Sequence, residues 1–177
     1  MINKKNMMAL IAIVFMVLIS AVPTFAATSS NQSVTVTVNP TIAISAAWNS
    51  GANNSTIALG ALDADNMQKT FTGEVVTDAS NIPIDVYVRA LAANFQGPDT
   101  LGLNNFMYSG GSVSSATAFT TSYAKYYDNW AKPNAGLPST SAVTLYMTIP
   151  YGTGAGNYNN TVFFSAVTHG PTAPTTP

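Results

Sequence analysis

The sequence predicts an all-β protein: a single antiparallel β-sandwich, jelly-roll or immunoglobulin-like, following a cleaved secretory signal peptide. Three observations predict it. From Ala27 onward apolar side chains recur at every second position, the period of a half-buried strand. Clusters of Gly, Pro, Asn, Asp and Ser break the chain roughly every 8–12 residues, the spacing of turns between sandwich strands. No stretch after Ala27 carries a convincing amphipathic helical pattern, and no internal repeat is evident.

Composition narrows the class further. Charged residues make up 7% of the 177 positions, against roughly 25% in an ordinary soluble domain. Hydroxyls, amides and small residues take their place, while a hydrophobic fraction of 47% is too high for a solvated, disordered chain. Without Lys4 and Lys5 only four basic residues remain against seven acids, so no basic patch invites nucleic acid. The absence of cysteine excludes disulfides and thiolate metal sites. Such a domain must rely on its sheet core or on assembly with partners.

Residues 1–26 read as the signal peptide. Lys4 and Lys5 give the charged start, Met7 to Val22 the apolar run, and Pro23-Thr24-Phe25-Ala26 the small-residue cleavage site. A retained membrane helix needs about 20 apolar residues, and this run offers about 16. A pilin-like leader cut near Lys5-Asn6 would keep the helix as a stalk, but such a cut usually follows Gly and here Asn6 precedes it. The sandwich is assigned to 27–168 and a Thr/Pro tail to 169–177.

The first strand is Ser33-Val34-Thr35-Val36-Thr37-Val38, closed by Asn39-Pro40. Every residue after Ser33 is β-branched, the strongest short strand signal in the chain. A strand-ready segment so early can pair within its own domain or with a neighbour. Thr41–Ala47 follows, with Ile42, Ile44 and Ala46 on one face. Ser55–Leu59 is a short strand and 60–68 a polar connection. Lys69–Thr77 sets Phe71, Gly73 and Val75 against Thr70, Thr72, Glu74 and Val76. Ile82–Ala90 places Ile84, Val86 and Val88 inside and Asp85, Tyr87 and Arg89 outside, with Pro83 where a missing donor is tolerated. Residues 92–141 are looser: 105–108 reads as a strand, and 117–130 as a partly helical or irregular aromatic excursion. Ala142–Ile149 brings Val143, Leu145, Met147 and Ile149 to one face. Tyr158–Val167 is the last strand.

Little in the sequence carries chemistry. His169 is the only histidine, and a tail is a poor place to orient an imidazole. The acids are scattered, so we expect no enzyme and no cofactor. Asp63-Ala64-Asp65-Asn66 resembles the opening of a calcium loop, yet it lacks the Gly and distant Glu of an EF-hand; an Asx-type turn is the simpler reading. Tyr123, Tyr126, Tyr127 and Trp130 form either a sugar-stacking platform or a plug at the open end of a sandwich. Asn31, Asn53, Asn54 and Asn159 stand in glycosylation-type triplets.

Two stretches carry a resemblance. Ile57 to Ala90, with Lys69-Thr-Phe-Thr-Gly-Glu-Val-Val-Thr-Asp-Ala-Ser-Asn-Ile-Pro-Ile-Asp-Val-Tyr-Val88, resembles the core of TasA/camelysin-like biofilm matrix proteins and the related archaeal bundling-pilus subunits. Met147 to Val167 is similar to the closing hairpin of many secreted immunoglobulin-like domains. The first resemblance implies a secreted structural subunit of an extracellular filament or matrix, polymerising by donor-strand exchange. Residues 33–38 would then be the donor, with Val34, Val36 and Val38 filling successive pockets of the next subunit. The partner would be a second copy of the chain. The alternative is a monomeric cell-surface module that recognises polysaccharide through the Tyr123–Trp130 aromatics.

Overall fold

The computed structural model describes residues 33–48, 56–170 and 172–175. The apolar run from Met7 to Val22 lies outside them, as do Asn31, Asn53 and Asn54. No helix among the described residues is long and apolar enough to cross a membrane. The chain divides into two compact units, Met1–Thr37 and Val38–Pro177.

The second unit is an antiparallel all-β sandwich. Its strands are β1 (Ile44–Trp48), β2 (Gln68–Asp78), β3 (Ile84–Ala90), β4 (Asn94–Phe95), β5 (Leu101–Gly102), β6 (Phe106–Gly110), β7 (Val113–Ala118), β8 (Ala124–Trp130), β9 (Ser139–Thr148) and β10 (Val162–Thr168). One sheet has five strands in the order β1-β2-β9-β6-β7, and a second has three in the order β10-β3-β8. A short β4–β5 ladder stands apart. The core lies between the two larger sheets. Val76, Tyr108, Val143, Leu145 and Met147 come from the five-stranded sheet, and Ile84, Val86, Val88, Tyr126 and Trp130 from the other. The alternation expected for β9 is the one observed, and Ile84, Val86 and Val88 of β3 lie in the core as expected, but Asp85, Tyr87 and Arg89, expected outside, are buried as well.

The β3 strand is buried along its whole length. Its inner face is apolar, as a central strand requires. Its outer face, Asp85, Tyr87 and Arg89, points away from the core but is covered by neighbouring side chains. The Arg89 guanidinium lies over the rings of Phe163, at 4.3 Å, and Tyr123, at 5.2 Å.

Three further expectations need correction. In β2 the register against β9 shifts between Thr72 and Glu74, where Gly73 takes a φ of +148°. That is a β-bulge, and one extra residue reverses which side chains face inward. Glu74, Val76 and Asp78 are therefore buried, and the Phe71–Gly73–Val75 face does not continue through the strand. The second correction concerns 117–130, which holds the end of β7 and all of β8 and contains no helix. Register shifts between β8 and β3, with Asn129 at a φ of +50°, hide a regular alternation from the sequence. The third concerns 56–59, which forms no strand; Ile57 and Leu59 pack against the core without ladder bonds.

Candidate functional site

Residues 33–38 belong to no ladder among the described residues. Val34, Val36 and Val38 are 91%, 81% and 75% exposed. Three β-branched apolar side chains on one face of an extended segment normally sit on a core. Here they face water.

The following residues, 39–43, are held firmly. The β1–β2 register of Ile44 with Asp78 continues upstream through Ala79 N–H to Ala43 O and Asn81 N–H to Thr41 O. The Asn81 side chain then bonds on both sides of Pro40. Its Nδ2 donates to Asn39 O at 2.8 Å, and its Oδ1 accepts from Thr41 N–H at 2.7 Å. The Ser80 hydroxyl accepts from Ala43 N–H. This clamp sets the direction of the chain at Pro40.

The sandwich itself has an open flank. Among the described residues, β1 ends the five-stranded sheet and β10 ends the three-stranded one, so each pairs on one side only. A cleft of about 280 Å³ lies between β1, β2 and β10. Ile44 and Ala46 of β1, Ile57, Glu74 of β2, and Val162 and Phe164 of β10 line it. From Val162 to Val167, β10 is half-buried throughout. A free edge with apolar side chains on both faces is a template for strand pairing.

Glu74 is the cleft's polar anomaly. It is 3% exposed, and its Oε2 has no hydrogen-bond partner among the described residues. Burial raises its pKa from 4.5 to about 7. The sequence alone does not find this residue, because the parity of β2 before Gly73 assigns it to the wrong face. The Gly73-Glu74 step within a strand pattern is the one local hint of a bulge.

The other candidates fall elsewhere. Tyr126 is fully buried and Trp130 is 5% exposed, so both rings belong to the core. Tyr127 stacks on Trp130 with ring centres 4.5 Å apart, and Tyr123 covers Arg89. The four aromatics therefore do not share one open face. Asp65 accepts from Met67 N–H and from Lys69 Nζ, an Asx-type turn closed by an ion pair. Both Asp65 oxygens are thus engaged, and Asp63 is exposed beside them. Asn159 is exposed, and its backbone pairs with that of Gln96.

His169 is better oriented than its tail position suggests. Its Nδ1 lies 2.8 Å from Asp85 Oδ1. Asp85 also accepts from Asn129 N–H, Lys125 Nζ and Gly170 N–H. Burial pushes the Asp85 carboxyl up, but these four donors outweigh it and hold the group well below the usual carboxylate range. Asp85, Asp128 and His169 have the donor set of a metal cluster. The Lys125 ammonium, however, lies 3.1 Å from Asp85 and 2.6 Å from Asp128, where a cation would sit. The arrangement is a charge knot that ties the end of β10 to β3 and β8.

No protein-family model matches the sequence, and no curated protein matches it.

Proposed function

We propose that the chain is a secreted structural subunit of an extracellular filament or matrix. Residues 33–38 of one copy add as a strand beside β10 of another and close its open flank. The observation that carries this reading is the exposure of Val34, Val36 and Val38 on a segment that joins no ladder. A cleft lined in part by apolar side chains accompanies it, beside a strand edge that is unpaired among the described residues.

The chemistry of the two parts is complementary. Residues 33–39 carry no charge, and the cleft lining carries one ionisable group, Glu74. Seated beside β10, the valines turn to the core and Thr35 and Thr37 to water, as the alternation of a half-buried strand requires. Backbone bonds supply the ladder, and side-chain burial contributes roughly 1.5–3 kcal/mol per valine before ordering costs.

The test is negative-stain electron microscopy of the exported protein beside a Val34→Asp, Val36→Asp, Val38→Asp variant. Filaments from the first and folded monomers from the second are expected. Filaments of equal abundance from both would overturn the reading, as would monomers from both.

A further inference from the structure

Glu74 has a feature that strand addition alone does not require. A buried carboxyl lines the cleft with one oxygen unpartnered among the described residues. We propose that Glu74 makes occupancy of the β1–β10 cleft proton-dependent, its carboxyl taking up a proton when a strand is seated and donating it to a backbone carbonyl of that strand. This rests on the strand-addition reading and specifies its regulation.

The surroundings of Glu74 set the sign. Across the ladders it faces Trp48 of β1 and Val143 of β9. Ile44, Ser45 and Ala46 of β1, Ile57, and Val162 to Phe164 of β10 complete the cleft, and none of them ionises. On β8 the ionisable neighbour is Tyr126. Its hydroxyl is already engaged with Ser141 Oγ at 2.7 Å and Ala142 O at 3.1 Å. Two charged residues of β3 pair with β10: Asp85 opposite Val167, and Arg89 opposite Phe163, stacked on that ring and on Tyr123. No cation therefore faces Glu74 from these elements to stabilise its ionised form.

Burial already favours the protonated carboxyl, with a pKa of about 7. A seated strand removes the remaining water and presents valine side chains, which favours the neutral form more. The bound state then has the higher pKa. Occupancy gains a proton wherever free Glu74 is ionised, so affinity falls as pH rises above 7. The limit for one proton is about tenfold per pH unit.

The experiment titrates a synthetic peptide of residues 33–39 into the full chain carrying the three Val→Asp substitutions, which leave the cleft intact. Calorimetry between pH 5.5 and 8.5 reads the dissociation constant. Repetition at pH 8 in buffers of different ionisation enthalpy counts protons taken up. We expect the constant to rise several-fold per unit above pH 7, with close to one proton taken up. Adding Glu74→Gln should leave a constant that varies less than about twofold across the range. Binding that is flat with pH and takes up no proton, or a Glu74→Gln profile as steep as the parent's, would overturn the proton dependence and leave strand addition standing. No binding at any pH would overturn both. Should the Gln variant not fold, the proton count on the Glu74 background decides alone.

Discussion

The two flanks of the sandwich start from the same problem and end differently. Each is bounded by the last strand of the larger sheet and the last strand of the smaller one. At the β7–β8 flank the chain stitches itself shut. Ser112 N–H donates to Tyr126 O, the Ser112 hydroxyl accepts from Asp128 N–H, and Ala90 N–H reaches Thr120 O. Gly111 makes the closure possible: it holds a φ of +57°, and a Cβ there would lie 2.7 Å from Tyr126 O. At the β1–β10 flank a cleft remains among the described residues, with two free edges and a buried carboxyl. Closure requires a segment that supplies both hydrogen bonds and apolar side chains. The 111–112 turn supplies the hydrogen bonds for one flank. Residues 33–38 have the alternating β-branched chemistry that the other would need.

The comparison breaks most sharply if the open flank is filled from within. Ala46→Phe places a ring in the cleft without disturbing the β1–β2 ladder. We expect filament formation to be lost, with the critical concentration raised roughly a thousandfold, about 4 kcal/mol. Sedimentation at increasing protein concentration measures it, and an unchanged critical concentration would place the acceptor elsewhere.

Next comes the carboxyl that marks the open flank. The folded state binds the Glu74 proton more tightly than the unfolded chain does, at a pKa of about 7 against 4.5. The stability held by the protonated form is complete below pH 4.5 and drains as pH rises through 7. Glu74→Gln removes that loss. Its expected gain in unfolding free energy is about 3 kcal/mol at pH 8 and close to zero at pH 4. Urea unfolding at the two pH values checks this, and equal effects at both would show that ionisation is not the cause.

The closed flank yields two smaller effects. Gly111→Ala meets both the left-handed backbone and the Tyr126 carbonyl, so a loss of about 2 kcal/mol is expected. A thermal melt unchanged from the parent would mean that the turn relaxes freely. Ser112→Ala removes only the acceptor for Asp128 N–H and should cost about 1 kcal/mol. Hydrogen exchange at Asp128 would quicken in this variant while the β2–β9 ladder stays protected.

Much of the sandwich is legible in the sequence because its central strands obey their local period. Ile84, Val86 and Val88, and Val143, Leu145 and Met147, lie on the core as their alternation requires. β7 is not legible because Val113–Ala118 is mostly Ser, Thr and Ala, an exposed edge strand with almost no apolar signal. β8 was obscured by irregular pairing that turns Tyr126, Tyr127 and Trp130 towards the core without a clean period. Of the candidate site, residues 33–38 could be picked out from composition alone, but Glu74 and the Asp85–His169 contact could not.

By itself the sequence determined the all-β class, the apolar faces of the regular strands and the strand-ready character of 33–38. These depend on neighbours along the chain, whose alternation dictates which face avoids water. Tertiary structure decided that Glu74 is buried, that His169 meets Asp85 and that one flank closes while the other stays open. Those outcomes depend on a bulge at Gly73, on pairing between residues as distant as 85 and 169, and on which strands end each sheet. Local periodicity says which face is apolar; it carries no information about which distant edge, if any, will cover it.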